Sequence, residues 1–369
     1  MKNILLATAG LTPQIITETL YALVRREDPF IPDEIHIVTT AEGRHRAALL
    51  LLDPKEGHLR RFAEDFGCSG LASALPEENI HVFKAADGTP LNDIETEEGN
   101  AAAADMITSI VRGLTARPET RLHVSIAGGR KTMGFLVGYA LSLFGRRQDE
   151  LSHVLVDPPF EGNPQFFYPP PENRVLFDRY GRPVNTDDAN VRLALIPFVR
   201  LRGGLPRELL RGHAGYSDVI ASAQLQFTEP ALEIRLEQRQ ALFGGVPVPL
   251  PPRILAFLCW MARLRHNGGE DGFIQGMDID ALAILECYRK IPMKPAEGAR
   301  SEHLLRELAH SGGPEERKAW FDQVKSRYHS ALRKALGEAG ALPYRLTSRG
   351  RRPSTRFGLT LEPDSISIG

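Results

Sequence analysis

Three cysteines in 369 residues, Cys68, Cys259 and Cys287, are too few and too scattered for a disulfide framework, and none has the CxxC or Cys/His spacing that holds zinc. A reducing cytoplasm fits that usage. Long apolar runs are equally scarce: the longest candidate, around Phe135 to Phe144, is interrupted by Gly and Ser and falls short of the roughly 18 residues of a membrane span. No membrane partner is expected. The amino terminus, MKNILLATAG, has one lysine before a short apolar run, but Pro13 interrupts it and no small-residue cleavage site follows, so it reads as a buried strand rather than a signal peptide. Net charge is nearly absent too, since 45 Lys plus Arg face 46 Asp plus Glu. A uniformly basic surface is excluded, and any nucleic-acid-binding face must be local. Neither GxGxxG nor a P-loop occurs, which leaves a dinucleotide enzyme and an NTPase without support.

What the chain does have is length for two or three domains and 42% hydrophobic residues with which to fill their cores. Short apolar or β-branched runs at Ile4–Thr8, Ile35–Thr40, Ile80–Phe83, Leu122–Ile126 and Val154–Val156 read as strands. Helical patterns lie between them, so the expected fold is α/β: a Rossmann-like parallel sheet with helices on both faces. In such sheets ligands sit beyond the carboxyl ends of the strands. Residues 1–170 are expected to form this domain. Six prolines between Asp157 and Pro171 mark a boundary or a stiff covering strap, and 171–230 reads as a connector. In 231–369 the period changes. An alternating strand at Leu232–Leu236 precedes helices at Ile254–Leu264, Asp278–Arg289, Glu302–His310 and Glu315–Leu336. Two strand-like segments, Tyr344–Thr347 and Thr355–Leu361, then flank a basic turn, which predicts a second, C-terminal winged helix-turn-helix domain.

The most informative segment is the strand ending at Ile126 followed by Ala127-Gly128-Gly129-Arg130-Lys131-Thr132 and a helix. Two glycines let a ligand approach the backbone, the helix start offers free N–H groups, and Arg130 and Lys131 add charge; together they predict an anion site, with a glycine turn and two solvated cations as the bland reading. The loop after the first strand, Gly10-Leu11-Thr12-Pro13-Gln14, brings a hydroxyl and an amide to the same sheet edge. Alternatively, Thr12 simply caps a helix with Pro13 at its first position. Thr40 after the second strand has the same two readings, ligand contact or cap.

The phrases LLATAGLTPQIITETLYAL, VTTAEGR, DIETEEGNAAAADMI, VSIAGGRKTMGFLVGYALSLFG and SHVLVDPPFEGNPQFFYP resemble the CRISPR-associated Rossmann fold (CARF) sensors of type III CRISPR systems over roughly residues 1–170. The resemblance implies a homodimer that binds cyclic oligoadenylate, usually cyclic tetra-adenylate, across its two-fold axis, each subunit giving identical loops. It puts Gly10, Thr12 and Gln14 in the first ligand loop and Gly128, Gly129, Arg130 and Lys131 in the second, with Thr40 and Thr132 beside them. Some members also cleave the ring without metal or cofactor, through the ribose 2′-hydroxyl, leaving a 2′,3′-cyclic phosphate. In that role Lys131 would stabilise charge and Thr12 would position the ribose or phosphate.

From Lys325 to Arg356 nine basic residues face one acidic residue. Lys325, Arg327, Arg333 and Lys334 fall on a helix, and Arg349, Arg351 and Arg352 on a hairpin tip. Such cation clusters bind phosphate backbones, so the alternative function is a DNA-binding transcription regulator that responds to the ring. A ring-activated HEPN ribonuclease, signalled by Arg, four to six residues and His, ranks lower. That spacing occurs at Arg207–His213 but also at Arg117–His123, Arg146–His153 and Arg147–His153.

Overall fold

The five apolar runs of the first 160 residues form strands in one sheet: β1 Lys2–Thr8, β2 Glu34–Thr39, β3 Ile80–Val82, β4 Thr120–Ser125 and β5 Glu150–Val156. The computed structural model describes every residue except 213, 226–227, 269–271, 294 and 352, together with all side chains but those and 207, 208 and 295–297. The strand order is β3-β2-β1-β4-β5, all parallel, the Rossmann-like arrangement expected. Crossovers to either side of β1 leave a topological switch point between β1 and β4, where the loops after these two strands diverge and open a crevice. Helices α1 (Gln14–Val24), α2 (Ala41–Leu51), α3 (His58–Asp65), α4 (Glu97–Thr115) and α5 (Lys131–Phe144) flank the sheet. Ile16, Leu20 and Leu23 of α1 join Leu5, Ala7, Ile35 and Ile37 of the strands in a buried cluster that also takes in Leu59 and Phe62 of α3.

The segment after β5 differs from its expected role. The proline-rich strap turns back onto α1: Thr17 Oγ1 donates to the Phe167 carbonyl at 2.8 Å and Gln14 Nε2 to that of Pro164 at 3.2 Å. Phe160, Phe166, Phe167 and Tyr168 are buried there, so the strap belongs to this core. Beyond it come a hairpin, β6 (Val175–Phe177) with β7 (Pro183–Asn185), and β8 (Val191–Leu195). The sequence reading has a connector here, whereas β8 pairs antiparallel with β5 and completes a six-stranded sheet. The first compact unit accordingly runs to Gly203.

The second unit takes in most of Gly204–Gly369. After α6 (Arg207–Arg211) and α7 (Tyr216–Gln224) come strands β9 (Leu232–Arg235), β10 (Gln240–Phe243) and β11 (Val246–Pro247), then α8 (Pro252–Gly268). The remaining elements are β12 (Ile274–Gln275), α9 (Ala281–Arg289), α10 (Pro295–His310), α11 (Pro314–Ala341), β13 (Thr347–Arg349), β14 (Arg356–Gly358) and β15 (Ile366–Ile368). The helices bury Phe257, Trp260, Phe321 and Tyr328 in one core. Gly337, at φ 75°, breaks α11 where the sequence ends that helix. Tyr344 lies in a single 3₁₀ turn rather than a strand, and the strands of the basic hairpin begin at Thr347 and Arg356, with β12 pairing on β14. Among the described residues, no helix is long and apolar enough to cross a membrane.

Candidate functional site

Three loops meet at the carboxyl edge of the sheet, and they meet through glycines. A methyl group on Gly10 would stand 3.2 Å from the Gly129 Cα, and one on Gly43, in the first turn of α2, would stand 2.9 Å from the Gly10 carbonyl and 2.0 Å from Thr39 Oγ1. Gly128 is as crowded, with the Thr8 carbonyl 2.9 Å from where its Cβ would be. Thr8 Oγ1 donates to the Gly128 carbonyl at 2.6 Å and ties the β1 and β4 loops together. Gly129 has φ 83°, the left-handed region in which a side chain is strained, so this turn into α5 selects glycine on two counts. The structure therefore brings Gly10, Gly128 and Gly129 into one backbone-lined cradle beside the switch point.

The side chains around the cradle are arranged less simply than the sequence implies. Lys131 and Thr132 open α5 and are exposed at its positive end. Arg130, expected to face an anion, is held by carboxylates: its Nε donates to Asp93 Oδ1 at 2.8 Å, and its Nη2 to Glu95 Oε1 at 2.9 Å and to Asp93 Oδ2. The guanidinium holds the Asp93 carboxyl below its usual range. Among the described residues, Lys131 is then the loop's uncommitted cation. The pairing was beyond local reading because 37 residues separate Asp93 from Arg130.

Thr12 is exposed but caps nothing; α1 begins at Gln14, with Pro13 as its flanking residue and no side-chain cap. Thr40, by contrast, does cap α2, accepting from the Gly43 N–H at 3.3 Å. Gln14 is buried and turned toward the strap. Behind Thr12 and Gln14 lies a cavity of about 240 Å³, walled by Ile15, Val154 and Leu155 and carrying Glu18, His153 and Glu161. Sequence reasoning missed Glu18, Glu161, Gly43, Asp93 and Glu95. All five lay within the quoted phrases, Gly43 next to the capping threonine in VTTAEGR, but none carried a local signal of its role.

On the second unit, Arg327, Arg333, Lys334, Arg349 and Arg351 are exposed. Lys325 is largely covered: it pairs with Asp322 at 2.8 Å and lies 3.8 Å from the centre of the Phe357 ring. Arg349 stacks over Phe273 at 4.1 Å, and Arg333 approaches Glu338 at 3.9 Å. Arg327 shares a cleft of about 520 Å³ with Arg253 and Arg300. Arg352 and His213 lie outside the described residues, as does the Arg207 side chain. His123 is fully buried, with its ring nitrogens 3.1 Å from Glu150 and 2.7 Å from Ser152 Oγ, while Arg117 pairs with Glu34 at 3.2 Å. That Arg–His spacing is thus occupied by structural pairs.

Comparison with the curated proteins finds no match. A family model described as CRISPR-associated protein NE0113 matches residues 12–230, a span that begins at Thr12, near the end of the loop after β1, and takes in the GGRK turn, the strap and β8. As that span is more than half of the chain, the protein belongs to the CRISPR-associated protein NE0113 family.

Proposed function

We propose that the protein binds a cyclic oligoadenylate, cyclic tetra-adenylate in particular, in type III CRISPR signalling, and cleaves it as a metal-independent ring nuclease. The observation that carries this reading is the contact of Gly10 with Gly129 at the switch point, with the exposed Lys131 at the start of α5 beside it. A ring of phosphodiesters has no terminal charge, so backbone approach and one mobile ammonium suit it better than a cluster of cations. A two-fold ring also suits a homodimer in which identical loops face each other. Leu11 and Phe135 are exposed apolar residues on the loop and on α5, Phe135 at 64%, and offer such a contact surface.

In the proposed reaction the ribose 2′-oxygen bonds to the adjacent phosphorus as the P–O5′ bond breaks. The 2′ proton is released, the leaving oxygen is protonated, and a 2′,3′-cyclic phosphate and a 5′-hydroxyl result. Lys131 stabilises the charge gathering on the phosphoryl oxygens, and Thr12 positions the ribose or phosphate. Wild-type protein in EDTA is expected to convert labelled cyclic tetra-adenylate to linear products, and Lys131→Ala to slow that conversion by about a hundredfold or more. An intact ring after prolonged incubation with the wild type would end the enzyme reading.

A second reading, a ring-responsive DNA-binding regulator, is favoured by the exposed Arg327, Arg333, Lys334 and Arg351 and by the hairpin of β13 and β14. Helices followed by a strand pair with a basic tip suit a winged helix.

A further inference from the structure

Glu18 is an unusual residue to find in a core. It is 7% exposed, yet among the described residues it has neither a hydrogen-bond donor nor a cationic partner. The nearest charge that acts on it is a second carboxylate, Glu161, from the strap. One helical turn before it on α1, Gln14 is 8% exposed; its amide nitrogen is used by Pro164, and its Oε1 has no partner. Residues four apart share a helix face, so both side chains line the 240 Å³ cavity behind Thr12. Buried polar groups are nearly always satisfied within a fold, and an unsatisfied Gln14 Oε1 beside a carboxylate that has no donor among the described residues, both lining one cavity, signals a ligand that brings the missing donors. Ile15, Ala127, Val154, Leu155 and Val156 supply apolar wall that suits a flat ring system, and Thr12, His153, Glu161 and Asn163 supply polar wall around it.

We infer that this cavity is a purine-base subsite in which Gln14 and Glu18 read the hydrogen-bonding edge of one adenine. The inference rests on the ring-binding reading above and extends it to base selectivity. A metal ion fits less well, because among the described residues no group of three His, Cys, Asp or Glu side chains could hold one. An amino group supplies the donor that Gln14 Oε1 lacks. Burial and the neighbouring Glu161 raise the Glu18 carboxyl to about 7, so near neutrality it is half protonated. The protonated carboxyl both donates and accepts, which matches the ring nitrogen and amino group of adenine; the ionised form only accepts, and matches a 6-oxopurine, whose ring nitrogen carries a hydrogen. His153 also lines the cavity; on β8, Arg192 is engaged by Asp157 at 2.6 Å, and on β5, Glu150 is engaged by Arg26 and Arg121.

The test is equilibrium binding by the full chain of cyclic tetra-adenylate, and of the corresponding ring of hypoxanthine nucleotides, between pH 6 and pH 8.5. The expected result is that wild-type affinity for the adenine ring falls about tenfold or more over that range, while the preference for adenine over hypoxanthine narrows. Glu18→Gln, which keeps a donor and an acceptor at every pH, should bind the adenine ring with no such slope. Wild-type binding that is tight but flat with pH would overturn the inference and leave the ring-binding reading standing, as would a Glu18→Gln slope equal to the wild type's. Loss of cleavage in Glu18→Gln, with binding and its pH slope unchanged, would make Glu18 a proton-transfer group and also overturn it. No wild-type binding of either ring at any pH would overturn both readings.

Discussion

At the scale of single residues, two carboxylates of the same unit are driven in opposite directions. Glu150 meets Arg26 at 2.7 Å, Arg121 at 2.6 Å and His123 at 3.1 Å, and this company holds it far below the usual carboxylate range. Glu18 has burial and Glu161 only, and rises to about 7. Because the folded-state value lies above that of the unfolded chain, its contribution to stability is fully present below about pH 4.5 and is lost as pH rises through 7, by up to about 3 kcal/mol. Glu18→Gln removes the ionisation. Its urea midpoint should exceed the wild type's by a margin that grows from pH 5 to pH 8, and an equal margin at both would show that folding does not raise the pKa of Glu18.

At the scale of elements, the site depends on how closely three loops approach. The strand, glycine pair and helix of the GGRK turn were legible because both signals are local: an apolar run, then residues without Cβ. Gly43 gave no such signal. It sits inside a helix, and its need to be glycine comes from Thr39 beneath and Gly10 across from it, partners that only the folded sheet supplies. Gly43→Ala should therefore move the start of α2 or the β1 loop, costing about 1–3 kcal/mol in thermal or urea unfolding and weakening ring binding. An alanine variant of unchanged stability and affinity would mean that the loops are slack. Thr12 illustrates the opposite case: Thr-Pro is a good cap pattern and capping was one of its two readings, but the helix begins at Gln14 without a side-chain cap, and among the described residues the hydroxyl is left free at the surface.

For the whole molecule, a chain of almost zero net charge carries a strongly basic stretch in its second unit, and the pairs made there decide which cations remain for a partner. If that unit binds duplex DNA, affinity should fall steeply with salt, and replacing both Arg327 and Arg351 by alanine should lower the slope of log affinity against log salt by about two, about 0.9 per phosphate contact. Gel shifts at two salt concentrations measure this. No shift at low salt would remove the regulator reading, and an unchanged slope would move the contact surface elsewhere.

The alternation of apolar runs with helical periods was enough to determine a parallel sheet flanked by helices, because burial on both faces of a strand is written in consecutive residues. The glycines and prolines likewise marked the turn into α5 and the strap. Tertiary structure alone decided that the strap and β8 close the first unit, that Arg130 is spent on Asp93 and Glu95, and that Glu18 has neither a donor nor a cation beside it among the described residues. Those outcomes depend on which groups lie within a few ångströms of one another after folding, and hydrogen bonds and ion pairs are governed by that distance, whereas periodicity records only which residues avoid water.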